Sequence, residues 1–134
     1  LTHRAHVVVA ERQGLADAEV HVDAVQLRQV LVNLLMNAVQ ALTGRGGRIE
    51  ITTAEADDGR TVVLDVTDDG PGVPADARSR IFEAFFTTKH RGTGLGLPTA
   101  KRVTENHGGT IAILDRPGGG TIARVTLPIS DVDA

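Results

Sequence analysis

Asn33 and Asn37 stand four residues apart, with Gln40 three further on, in a stretch otherwise rich in leucine and valine (AVQLRQVLVNLLMNAVQAL, residues 24–42). On a helix, positions i and i+4 lie one above the other, so these amides form a row. Asparagine is a weak helix former because its side chain competes for backbone hydrogen bonds. A pair of them in mid-helix therefore asks for a reason. One reason is structural, two amides bonded to neighbouring backbone. The other is chemical, a shelf of neutral oxygens for a hard cation such as magnesium carrying phosphates.

A second set surrounds Asp68. In the alternating run TVVLDVTD (61–68), Val62, Leu64, Val66 and Asp68 share one face, so Asp68 continues an apolar row. A carboxylate placed there is costly unless a donor meets it. Gly70-Pro71-Gly72 follows, where backbone can approach a flat ligand, and Asp68 can accept an exocyclic amine there or cap its own turn amides. Thr121 has the same parity in its strand as Ala123, Val125 and Leu127, so its hydroxyl points to the core layer, for a water-mediated contact to a ligand or for backbone. Gly92-Thr93-Gly94-Leu95-Gly96-Leu97 runs into a helix with Pro98 in its first turn. Glycines before a helix N-terminus expose amides to an anion, and Lys89, His90 and Arg91 bring cations beside them. The same composition also suits a surface lid. No GK[ST] follows, as the Walker pattern requires, and no strand leads in, as the dinucleotide fingerprint requires.

The elements that must position these groups follow from periodicity. Leu27, Val30, Leu31, Leu34, Leu35, Ala38 and Leu42 recur at helical steps, which predicts a helix over 24–42 with one buried face. Asp23 supplies its N-cap and Gln26 completes a capping-box pattern; Thr43-Gly44 supplies the stop. Strands are predicted at 6–10, at 19–22, at 48–53 and at 61–68, with a hairpin turn at Asp57-Asp58-Gly59. A short helix is expected over 75–82 and another over 98–106. A closing hairpin of 110–114 and 121–127 turns at Pro117 to Gly120. Phe82, Phe85 and Phe86 are the only aromatics, so the core must be aliphatic; Phe82 and Phe85 suit the base of the 87–97 loop better than stacking on a base. The expectation is an α/β (α+β) two-layer sandwich, a mixed, mostly antiparallel five-stranded sheet with three helices on one face.

Composition narrows the classes. The 134 residues suit one domain, residues 1–134, and a net charge of −3 with no basic run argues against nucleic acid or a membrane surface as partner. With no cysteine, disulfides and thiolate metal sites are excluded. No apolar run or leader pattern suggests membrane contact by this segment, so a cytoplasmic location is expected, in a longer protein that is free to be membrane-anchored. Its start at Leu1, with Met36 the only methionine, reads as a segment of that longer chain.

Each signal is weak separately, but their order is informative. NLLMNA, DDGPG, IFEAFFTTK, GTGLGL and a terminal GTxxxxxLP strand together resemble the ATP-binding catalytic domain of sensor histidine kinases, members of the GHKL superfamily with the Bergerat fold. The resemblance runs from about Val7 to Pro128.

That resemblance implies ATP and Mg2+ as cofactors. By similarity, Asn37 is the principal magnesium ligand and Asn33 supports it. Asp68 accepts the adenine amino group, with Gly72 against the ring and Thr121 behind it. Gly92, Gly94 and Gly96 wrap the triphosphate, and Lys89 and Arg91 reach its outer end. Gln40, Gly70, Val73, Phe82, Thr93, Leu95 and Leu97 complete the implied binding set, and Asn33 and Lys89 the implied catalytic set. The family transfers the γ-phosphate to a histidine on a separate dimerisation domain of the same kinase, and a response regulator is an indirect partner. None of His3, His6, His21, His90 and His107 lies in an H-E/D-x-x-x-P context, so the acceptor domain is expected outside this segment. The segment should then bind ATP without phosphorylating itself efficiently. Two departures stand out. Gln40 replaces a lysine or arginine common in the family, and Asn33 stands where ATP-hydrolysing relatives (gyrase, the Hsp90 chaperones, the MutL proteins) carry a glutamate base, which disfavours hydrolysis. A serine kinase of the anti-sigma type and a non-catalytic nucleotide-binding scaffold are the competing readings. Intact Asn37, Asp68 and loop glycines speak against the scaffold.

Overall fold

The computed structural model describes residues 7–14, 23–56, 59–78, 80–83 and 96–128. In chain order it has β1 (Val7–Gly14), α1 (Ala24–Ala41), β2 (Gly47–Glu55), β3 (Thr61–Asp68), α2 (Ala75–Arg78), α3 (Gly96–Asn106), β4 (Thr110–Asp115) and β5 (Thr121–Pro128). The strands form one sheet in the order β1-β2-β3-β5-β4. β1 runs parallel to β2, joined to it through α1, and the other neighbours are antiparallel. A parallel pair needs such a crossover, whereas β4 and β5 need only the turn at 116–120.

The core is the layer between the sheet and the apolar faces of α1 and α3. Val30, Leu34, Ala38 and Leu42 from α1, and Ala100 and Val103 from α3, join Ile49, Val66, Ile113, Ala123, Val125 and Leu127 in one buried cluster. Val66, Ala123, Val125 and Leu127 have the parity that the alternation assigned to the face of Asp68 and Thr121. Among the described residues this cluster is aliphatic; Phe82 is only partly buried and packs against it. On the outer face, Arg124 donates two hydrogen bonds to Asp65, each 2.9 Å, across the β3–β5 pair. That hydrogen bonding raises the Arg124 pKa above its ordinary value, against a smaller opposing effect of burial.

Several boundaries differ from expectation. β1 extends to Gly14, beyond the apolar run, because β2 offers pairing partners up to Ala54 and an edge strand tolerates Glu11, Arg12 and Gln13. The strand expected at 19–22 and the turn residues 57–58 lie outside the described residues. α2 is one turn, not a helix to residue 82: the bonds Arg80 N–H to Ala77 O and Glu83 N–H to Arg80 O are three-residue turns. α3 begins at Gly96, two residues before Pro98, which stays within the first turn, where a missing N–H costs nothing. At α1, Asp23 accepts from the amides of Val25 and Gln26 as predicted. The reciprocal half of the capping box is replaced: the Asp23 amide donates to His107 Nε2 at 3.0 Å.

Candidate functional site

The inner end of the sheet carries a row that crosses four strands. Ile49 faces Asp68, Asp68 faces Thr121, and Thr121 faces Asp115. Asp68 is 3% exposed and Thr121 5% exposed. A buried carboxylate at the rim of an apolar layer needs donors, and the Asp68 Oδ1 accepts from the Gly70 amide at 2.9 Å.

Three glycines in two turns close around this row. At Gly120 the chain has φ +115°, and a β-carbon would lie 2.0 Å from the Asp68 carbonyl oxygen, so only glycine lets the β4–β5 turn meet β3. A β-carbon at Gly70 would sit 2.8 Å from Asp68 Oδ1 and 3.4 Å from the backbone of Ala41 at the end of α1. Gly72 faces the Gly120 carbonyl. The DxGxG turn is thus packed between α1 and the closing hairpin. Asp69 serves the turn itself: its Oδ1 accepts the Arg48 amide at 2.8 Å and its carbonyl accepts from Arg45.

Along α1, Asn33, Asn37 and Gln40 are all half-buried, beside the fully buried Val30, Leu34 and Ala38. They form the row that the spacing required, on the border of the core stripe. The Asn33 Nδ2 donates to the Gly96 carbonyl at 3.2 Å, joining this row to the first residue of α3. Leu97, Val73 and Phe82 are partly buried against the core, and the Lys101 ammonium lies 5.4 Å from the Phe82 ring centre. Phe82 therefore packs at the side of α3; the loop whose base it was expected to form lies, but for Gly96 and Leu97, outside the described residues. Lys89, His90, Arg91, Gly92, Thr93, Gly94 and Leu95 lie outside the described residues, as do Phe85 and Phe86.

Asp68, Gly70, Gly72 and Thr121 are thus brought together, and Asn33 is brought to Gly96. Sequence reasoning missed Gly120 as a site residue, although the three consecutive glycines beside Thr121 were the available signal. It also missed the bond from Asn33 to Gly96, for which one sequence carries no signal. A shallow depression of about 60 Å3, lined by Arg48, Glu50, Thr67, Asp69 and Arg116, opens on the outer face instead. Its charges are largely matched, Arg48 with Glu50 at 3.6 Å for one, so it reads as a solvated sheet face.

Residues 22–131 match the family of histidine kinase-, DNA gyrase B- and HSP90-like ATPases. The chain is 43% identical over 112 residues to the sensor histidine kinase ZraS of Escherichia coli K12, a match covering 84% of this chain and 23% of ZraS. It therefore spans about a quarter of that relative's length. Among solved structures, the catalytic domain of the histidine kinase ThkA superposes with a TM-score of 0.79 at 34% identity, covering 91% of this chain and 80% of that one. Full-length ShkA in complex with AMPPNP gives 0.79 at 35% identity, covering 92% and 26%. The two-layer α/β architecture is the one these catalytic domains have. The chain belongs to the histidine kinase-, DNA gyrase B- and HSP90-like ATPases, the GHKL superfamily, as a catalytic domain of the sensor histidine kinase type.

Proposed function

We propose that this domain binds Mg–ATP between α1 and the β3–β5 row and presents the γ-phosphate to a histidine on a separate dimerisation domain. The observation that carries the reading is the buried Asp68–Thr121 pair beside the glycine turns, where a β-carbon on Gly70 would stand 3.4 Å from Ala41 at the end of α1. A carboxylate held in a dry, glycine-walled notch suits an exocyclic amine on a flat ring. Asp68 then reads the adenine, Gly70, Gly72 and Val73 wall it, and Thr121 supports it from the neighbouring strand. Gln40 borders the phosphate side.

The donor set fits magnesium. Among the described residues no group of three or more His, Cys, Asp or Glu side chains gathers to hold a metal. A cation here would rest on the amide oxygen of Asn37 and on the phosphates, as a hard ion that keeps part of its hydration does. Bound there, magnesium would neutralise phosphate charge. The chain's own residues do the rest: α1 and the glycine turns orient the nucleotide, and Lys89, Arg91 and the glycines before α3 are assigned to the triphosphate. Asn33 cannot take a proton from water, so the domain favours transfer to a presented nucleophile over hydrolysis. Beyond this segment, the histidine-bearing domain and, through it, a response regulator are the partners, in the cytoplasm. Among the described residues no helix is long and apolar enough to cross a membrane.

Calorimetric titration of ATP, with and without magnesium, into this chain and into Asp68→Asn and Asn37→Ala tests the reading. The expected result is binding weakened at least tenfold with Asp68→Asn and magnesium dependence lost with Asn37→Ala. No binding by the unmutated chain would overturn it.

A further inference from the structure

We propose that Asn33 is a positioning residue, which docks the N-terminus of α3 onto α1 through Gly96, rather than a metal ligand. The inference rests on the nucleotide-site reading above and assigns Asn33 a different part in it.

The chemistry of the bond fixes the amide. Only the NH2 group of an asparagine can donate to a carbonyl, so the 3.2 Å contact to Gly96 O commits Nδ2 to α3 and sets which side of the amide carries oxygen. The bond spans 63 positions of sequence and is half-buried, so it is a tertiary tie and not a local cap. It also falls where α3 is weakest. The first four amides of a helix have no partner within it, and Pro98 supplies none at all. Glycine at the first position carries the largest backbone entropy cost of ordering. Full burial starts further on: Leu97 is only partly buried against the core, whereas Ala100, on the Gly96 side of the helix, is fully buried, and Val103 follows it into the cluster shared with Val30 and Leu34. A β-carbon on Gly96 would be 4.0 Å from the Asn33 Cβ, so Gly96 lies close beside the side chain of Asn33. The side chain of Asn33 thus closes the α1–α3 contact at its open end, and it sets the direction in which α3 presents its first turn to the phosphates.

The test uses the whole chain with Asn33→Ala, Asn33→Asp and Asn33→Gln, each first checked for an unchanged circular dichroism spectrum. Aspartate keeps the shape and improves the oxygen ligand but cannot donate; glutamine keeps the donor. Without metal or nucleotide, amide exchange at Ala100 and Lys101, the first positions of α3 with helical partners, should quicken about tenfold in Ala and Asp and partly recover in Gln. ATP affinity should fall about tenfold in Ala and Asp, with adenosine affinity unchanged, since only the phosphates meet α3. A metal-ligand role predicts the reverse for Asn33→Asp: unaltered exchange in the metal-free protein and retained or tighter magnesium-dependent ATP binding. That result would overturn the inference while leaving the nucleotide site standing. An unmutated chain that binds no ATP would instead remove the site itself, and the inference with it.

Discussion

Asp68 and Thr121 face each other directly across the antiparallel β3–β5 pair, on the inner face, with 3% and 5% of their surfaces exposed. Two polar side chains at the edge of an aliphatic layer are costly to keep unless a ligand or backbone group meets them. Asp68→Asn should therefore weaken ATP binding by about 1.5–3 kcal/mol, a loss of roughly 10- to 150-fold. It should weaken GTP binding much less, because guanine carries a carbonyl where adenine carries its 6-amino group, so the carboxylate has no donor to accept from at that position. Thr121→Val should cost less, about 1 kcal/mol, as a neutral and partly replaceable hydrogen bond. Competition titration with ATP and GTP checks both, and an Asp68→Asn chain that keeps its preference for ATP would count against the adenine assignment.

Gly120 and Gly119 separate two reasons for glycine. Both have positive φ, +115° and +112°, but a β-carbon at 120 would strike the Asp68 carbonyl at 2.0 Å while one at 119 would meet nothing within 4 Å. Gly119→Ala should cost only the backbone strain, about 1 kcal/mol. Gly120→Ala adds a forced shift of β3 against β5 and should cost about 3 kcal/mol or more. Denaturant melts of the two variants make the comparison; equal losses would show that strain alone governs the turn.

The outer face offers a control. The Asp65–Arg124 pair is bidentate, but the arginine side chain is 41% exposed, so its strength is limited by water. A double-mutant cycle with Asp65→Ala and Arg124→Ala should give a coupling of about 0.5–1 kcal/mol, reduced by added salt, with ATP affinity unaffected. An effect on ATP affinity would mean that the two sheet faces communicate.

What was legible in the sequence was whatever a repeat distance encodes. The three- and four-residue steps from Leu27 to Leu42 and the two-residue alternation of 61–68 placed α1 and β3 closely, and parity alone put Asp68 and Thr121 on the inner face. Sheet order, β1-β2-β3-β5-β4, depends on contacts distant in sequence and could not be read from period. The ends of elements failed for a local reason: α2 stops at Arg78 because three-residue turn bonds take over, which composition does not announce. Gly120 was legible as a turn, and its closeness to Asp68 was not, because that contact exists only once β3 and β5 pair. The bonds of Asn33 to Gly96 and of Asp23 to His107 belong to the same class, polar ties between elements whose partners no spacing rule connects.

His107 carries the last prediction. Its ring closes both ends of a short chain of bonds: Nδ1 lies 2.8 Å from the Val103 carbonyl, and Nε2 accepts the Asp23 amide at 3.0 Å. A neutral ring with its proton on Nδ1 satisfies both, and no other tautomer does. The histidine thus ties the C-terminus of α3 to the N-cap of α1, at the opposite end of the helix pair from the Asn33–Gly96 bond. His107→Ala removes an exposed bond that water can partly replace and should cost about 0.5–1.5 kcal/mol. Asp23→Ala removes the cap bonds to Val25 and Gln26 and should cost about 1 kcal/mol. The two losses should not add, since both loosen the same junction. Urea melts of the single and double variants measure the coupling, and strictly additive losses would mean that the cap and the histidine act independently.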